Sequence, residues 1–189
     1  MNRFRLIAIL LVCGLTFAGC HKQKDPVTLA KKELTVEKDE GFCASHDFPN
    51  NTWTFPKKEL KNGDIMIDKH LKIKGLIPDH QKTYDLSVIV DFLPEIDSQV
   101  IPIELATISP DGKSKQTCTM KIDFSENKLV KDVTLPDGTN CKRYSKTIYN
   151  QKKFPASGEY TFDIYSKHSK LTLYGIKSIH LKLVENDIK

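Results

Sequence analysis

The side chains with reactive potential in this sequence are its five cysteines, its six histidines and a few clustered acids, and their spacing limits the chemistry open to them. Cys20 follows Leu15-Thr16-Phe17-Ala18-Gly19, a run like a lipobox, in which the thiol is alkylated by diacylglycerol and becomes the first mature residue. Phe17 stands where most lipoboxes carry leucine. Cys43, Cys118 and Cys141 lie further along the chain, and an odd number of thiols cannot all pair internally. An exported domain meets oxidising conditions, so a disulfide is expected. Cys118 lies on an alternating apolar face and Cys141 follows a turn at Gly138, which makes Cys118–Cys141 the favoured bond. Cys43 bonded to either one, or three small buried thiols with no bond, are the alternatives. A catalytic thiol needs a partner base and an electropositive site, and the local sequence offers neither.

His21, His46, His70, His80, His168 and His180 are scattered, with none at H-x-H or H-x-x-x-H spacing. Metal binding therefore has no local support. Asp91, Glu95 and Asp97 flank Pro94 and carry oxygen ligands suited to calcium, but their spacing matches no calcium loop, and a solvated turn is the simpler reading. There is no G-x-S-x-G elbow, phosphate-cradling glycine loop or Walker sequence. The chain is expected to have no catalytic residues, no metal and no cofactor other than the diacylglycerol and N-acyl lipid on Cys20. Trp53, Tyr144 and Tyr149, with Tyr165 and Tyr174 behind them, are the aromatics able to contact a sugar, although such residues in strands more often serve a core or its rim.

The elements around these residues begin with a leader. Arg3 and Arg5 precede the apolar run 6–12, and small residues Ala18 and Gly19 precede Cys20, the order of a signal peptide. The run is shorter than the ~20 residues that cross a bilayer, and His21 to Asp25 turn polar at once. Residues 1–19 are thus expected to be removed. Two acyl chains anchor stably where one binds only marginally. His21 rather than Asp after the lipidated cysteine lacks the acidic inner-membrane retention signal, so an outer-membrane lipoprotein is the expected placement, with the domain facing the periplasm or the surface. Residues 20–41 carry too few bulky apolar groups for a core and are read as a flexible tether. Loss of the two leader arginines lowers the net charge from +5 to +3, with lysines scattered rather than gathered, so nucleic acid is not an expected partner.

Residues 42–189 are the size of one domain, large enough to bury ~70 % of the unfolded surface. Their signal is period two. Ile65, Ile67, Leu71 and Ile73 share a parity, as do Tyr84, Leu86, Val88, Val90 and Phe92; Ile101, Ile103 and Leu105; Cys118, Met120, Ile122 and Phe124; Tyr160, Phe162 and Ile164; and Ile179, Leu181 and Leu183. Pro102 marks an edge or a strand start. Pro-Asp-Gly turns stand at Pro110 to Gly112 and Pro136 to Gly138. Many short alternating strands without helical periodicity predict an all-β antiparallel sandwich, jelly-roll or Ig-like.

Several of these strings, taken in order, resemble the gliding-motility lipoprotein H family over residues 53–185. They are Trp53, the strand 84–92, Ile108-Ser109-Pro110-Asp111-Gly112, the segment Phe154-Pro155-Ala156-Ser157-Gly158-Glu159-Tyr160-Thr161-Phe162-Asp163-Ile164, and Leu173, Gly175, Ile176, Ile179 and Leu181. Glu104-Leu105 stands where the family tends to Asn-Leu, and Asn140-Cys141-Lys142-Arg143-Tyr144 where it tends to Trp-Gly, which points to a branch outside the gliders. The resemblance implies a membrane-anchored accessory subunit in the envelope of a Bacteroidota-like bacterium, working by contact with other envelope proteins and without enzymatic activity. The alternative, from a different class, is a lipoprotein that binds a carbohydrate or other small ligand.

Overall fold

The computed structural model describes residues 42–186; the expected signal peptide 1–19, the expected lipidation at Cys20 and the expected tether 20–41 all lie outside the described residues. A strand with one face in water and one in the core alternates strictly, and residues 70–77 do so: His70, Lys72, Lys74 and Leu76 are exposed, while Leu71, Ile73, Gly75 and Ile77 are buried. The elements in order are β1 (Phe42–Asp47), a short 3-10 turn (Pro49–Asn51), β2 (Thr52–Thr54), β3 (Lys57–Glu59), β4 (Ile65–Ile67), β5 (His70–Ile77), β6 (Thr83–Phe92) and β7 (Val100–Ile108). There follow β8 (Lys115–Asp123), β9 (Val130–Thr134), β10 (Asn140–Lys153), β11 (Gly158–Ser166), β12 (Thr172–Tyr174) and β13 (Ile176–Asn186).

Two antiparallel sheets carry the domain, a five-stranded one in the order β1-β13-β6-β10-β9 and a four-stranded one in the order β5-β11-β7-β8. The chain changes sheet between β1 and β5, again before β6, before β7, before β9, before β11 and before β13. An Ig-like sandwich keeps most hairpins within one sheet. Here only β7–β8 and β9–β10 do so, and the repeated exchange between sheets is that of a jelly roll, with β9 added at one edge. Leu86, Val88 and Val90 of β6 meet Ile103 and Leu105 of β7 and Phe162 and Ile164 of β11 in the shared core. At one end Trp53 closes this core, its ring 5.3 Å from Phe48 and 5.3 Å from Phe55.

The two Pro-Asp-Gly turns close β7–β8 and β9–β10, and their glycines take the left-handed backbone that a side chain resists, at φ 70° for Gly112 and 80° for Gly138. Pro102 sits near the start of β7, where its missing N–H costs no ladder bond to β11, which pairs only from Ile103 onward. The segment 65–73 is not one strand. Asp68 interrupts it, donating its N–H to the carbonyl of Pro56 and accepting the N–H of His70 on its side chain at 3.1 Å. Ile65, Met66 and Ile67 instead pair with β3 in a separate two-stranded ribbon, and Ile65 is 67 % exposed.

Closure of the sandwich between β1 and β5 depends on Gly75. A Cβ there would stand 2.9 Å from the carbonyl oxygen of Cys43 and 3.2 Å from Cβ of Ala44. Gly75→Val should destabilise the domain by ~1–3 kcal/mol through overpacking. Urea unfolding measures this, and a change below ~0.5 kcal/mol, the range of ordinary surface substitutions, would contradict the close approach.

Candidate functional site

On the outer face of the five-stranded sheet, a side usually left to solvent, several polar side chains are buried. Arg143 of β10 stands directly opposite Asp91 of β6 in the register, and Asp91 stands opposite Ser178 of β13. The guanidinium grips the carboxylate with two bonds, Nε donating to Oδ1 at 2.7 Å and Nη2 to Oδ2 at 2.9 Å. This fork geometry is the strong form of a charge-assisted bond. Asp91 is 1 % exposed and Arg143 5 %. Burial alone pushes the Asp91 carboxyl up, but hydrogen bonds from Arg143 and His180, and their charges, outweigh it and bring the group from 3.8 down to about 2.

The neighbouring row extends the network. His180 lies opposite Ser45 of β1, whose Oγ is 2.8 Å from Nδ1, while Nε2 is 2.8 Å from Ser178 Oγ and 3.3 Å from Asp91 Oδ2. A serine, an imidazole and a carboxylate are thus in line, as in a nucleophilic triad. The arrangement departs from that chemistry in one respect. A triad carboxylate directs its charge to the imidazole, and here the closer partner of Asp91 is Arg143, whose charge neutralises it.

These residues floor a groove of about 670 Å³, walled by Cys43, Ala44 and Asp47 of β1, Lys74 of β5, Lys177 of β13 and the turn Leu135-Pro136-Asp137. A β-bulge between Ile176 and Ser178 creates that wall. Lys177 is the extra residue, and its Nζ donates to Asp137 Oδ2 at 2.6 Å and to Thr139 Oγ1 at 3.0 Å, drawing the β9–β10 turn over the sheet. The bond from Lys177 holds the Asp137 carboxyl far below its ordinary range.

The sequence-predicted residues are placed differently. Cys43, Cys118 and Cys141 are free thiols, which corrects the expected Cys118–Cys141 bond. Cys118 is on edge strand β8 of the four-stranded sheet, on the parity of Met120 and Ile122, whereas Cys141 shares the parity of Arg143, on the outer face of the other sheet. Burial raises both Cys43 and Cys141 to about 11, away from thiolate chemistry. Trp53, 3 % exposed, and Tyr144, 0 % exposed, belong to the interior, Trp53 also bordering a second groove with His46, Phe48 and His70. The Tyr144 hydroxyl donates to the carbonyl of Lys121 at 3.3 Å, and burial raises it to about 12. Tyr149 is half-buried with Lys152 Nζ 4.8 Å above its ring. The Tyr165 ring lies 4.8 Å from that of His70 at a tilt of 38°, and Tyr174 is the most exposed of the five candidate aromatics.

The acidic trio divides. Asp91 is no solvated turn residue but the centre of the buried network, whereas Asp97 ties Lys170 Nζ and the N–H of Tyr174 and Glu95 is exposed. Among the described residues no group of three or more His, Cys, Asp or Glu side chains is placed to hold a metal ion. No helix of the described residues is long and apolar enough to cross a membrane.

No family model matches this chain, and no curated protein matches it. Among solved structures it is similar to a carbohydrate-binding module that recognises mannan, at 10 % identity and a TM-score of 0.35, over 75 % of this chain and 93 % of that one.

Arg143→Met should destabilise the domain by ~3–5 kcal/mol, because it leaves Asp91 buried and without its counter-charge. The double variant Asp91→Leu/Arg143→Met should lose clearly less than the sum of the two single variants. Denaturant unfolding of the four proteins tests this, and additive losses would mean that the pair is not coupled.

Proposed function

We propose that this chain is a non-enzymatic lipoprotein of the cell envelope, held on a membrane through lipid at Cys20, whose domain acts as an accessory or interaction subunit. The observation that carries this reading is the β3–β4 ribbon. It is a sheet of two strands only, so each strand has one edge with no sheet neighbour among the described residues. Leu60, Ile65 and Met66 on it are exposed, at 37 %, 67 % and 43 %. A single hairpin is marginally stable in water, and exposed apolar side chains beside open strand edges are the chemistry of strand addition by another polypeptide. Lys57, Lys58 and Lys61 are interspersed with Glu59 and Asp64, which suits a mixed protein surface better than an anionic lipid one.

The resemblance to gliding-motility lipoproteins and the lipobox-like run before Cys20 support the envelope placement, and the outer membrane is the side that His21 favours. The raised thiols of Cys43 and Cys141 and the neutralised Asp91 support a role in binding rather than catalysis. A second reading, binding of a carbohydrate or other small ligand, is favoured by the groove over Asp91 and not by the aromatics.

A photo-crosslinking residue placed at Met66 in cells should give a discrete adduct with a second protein, while the same residue at Lys113, in the β7–β8 turn, should not. Ile65→Asp should abolish the adduct without moving the unfolding midpoint, since Ile65 contributes little to the core. Cys20→Ala should release the protein from the membrane fraction and weaken the adduct. Adducts of equal strength from both positions, or none from Met66, would contradict the interaction reading, and a membrane-bound Cys20→Ala chain would contradict the anchor.

A further inference from the structure

We infer that the groove over Asp91 and Arg143 is a binding site for a short, uncharged, polyhydroxylated ligand of the saccharide class. This rests on the second reading above, is independent of the ribbon, and gives that reading a place and a ligand chemistry.

Its size falls within the ~300–1,000 Å³ of small-molecule sites, at about 670 Å³. Its floor is built rather than incidental. Asp91, Arg143 and Ser178 are buried, and the His180 side chain is 12 % exposed, so the polar atoms beneath a ligand are fixed by strand register and by one another. Fixed donors and acceptors need no reorganisation on binding, the property that makes a few hydrogen bonds selective.

Charge decides the class. Among the described residues the lining holds three acids, Asp47, Asp91 and Asp137, and three cationic side chains, Lys74, Arg143 and Lys177, with the imidazole of His180 beside them. The cations are matched close by: Arg143 by Asp91, Lys177 by Asp137 at 2.6 Å, and Lys74 by Glu159 at 2.7 Å. A phosphate or carboxylate entering such a site would gain little net attraction and would have to displace an existing partner. Hydroxyl groups have no such conflict, because each can donate to a carboxylate or serine oxygen and accept from an ammonium while leaving the ion pairs in place.

The walls fit the same class. Leu135 and Pro136 give the groove aliphatic surface against which the C–H face of a pyranose ring can lie, with Ser45 and His180 at hydrogen-bonding positions beside them. Among the described residues no Phe, Tyr or Trp lines the groove, so their contacts to a ligand there are hydrogen bonds and not ring stacking. Leu135 is half-buried on the β9–β10 turn, so it can be changed without touching the Asp91–Arg143 floor.

The test is a two-dimensional amide NMR titration of the full mature chain, without its lipid, against cellobiose, maltose and mannobiose, with digalacturonate and glucose 6-phosphate as charged comparators. A neutral disaccharide should shift the backbone amides of Ser45, Leu135, Lys177 and His180, and Leu135→Glu should weaken that binding at least tenfold with the remaining spectrum unchanged. Shifts at the groove from the charged compounds alone would overturn the assignment to uncharged saccharides while leaving a ligand site there. No shift at the groove from any compound up to 50-fold excess would overturn both, and shifts confined to Tyr165 or Tyr174 would move saccharide binding to another face.

Discussion

Asp91 and Arg143 face each other across neighbouring strands on the side of a sheet where water is normally the partner, and both are almost fully buried. Desolvating two opposite charges costs several kcal/mol per ion, so the pair persists only because its geometry is nearly ideal and its remaining capacity is used. Ser178 and His180 supply that use from β13, and Ser45 continues it from β1. One ion pair thereby fixes four strands, β10, β6, β13 and β1, in mutual register on their outer face. A one-residue slip would turn Asp91 into the sandwich core. Specifying register is the role for which buried polar groups are best attested.

From this fixed floor the other features follow by short steps. The bulge that brings Ser178 opposite Asp91 also pushes out Lys177, and Lys177 draws the β9–β10 turn across the sheet through Asp137. Gly75 lets β1 approach β5, which places Lys74 at the far end of the same groove. The ribbon of β3 and β4 sits elsewhere, outside both main sheets, and depends on none of these contacts. A domain arranged in this way has two surfaces of different character, one rigid and polar and one thin and apolar.

Much of the fold was legible because a sandwich repeats a simple physical pattern. The alternations at 84–92, 101–105, 118–122, 160–164 and 179–183 are strands in the structure with the expected residues inward, Phe124 stands in the turn just past its strand, and both Pro-Asp-Gly triplets are the turns their glycines require. Jelly roll against Ig-like was not legible, because alternation identifies strands and says nothing of which sheet each enters. The site was less accessible still. Arg143 lies 52 residues from Asp91, and only the β6–β10 register makes them partners. Trp53 and Tyr144 read as candidate ligand contacts because an aromatic in a strand has the same local signature whether its face is inward or outward. Cys118 and Cys141 failed as a pair for a related reason, since parity along each strand could not show that their strands belong to different sheets. The signal that could have located the site was modest. Asp91 is an acid on the solvent parity of a strand whose other outward positions include Ile89, and Ile89 is itself only 4 % exposed, a sign that this outer face is covered.

The most direct test of this arrangement is the titration of the Asp91 side-chain carboxyl, followed by carbon-13 NMR from neutral pH downward. With the carboxylate held by Arg143 and His180, its resonance should stay at the ionised position through the range where ordinary aspartates protonate and move only near pH 2, about where the group's own pKa lies. A midpoint near the ordinary 3.8 would show that the ion pair does not hold Asp91 in the folded protein, and both the fixed floor and the groove built on it would be lost.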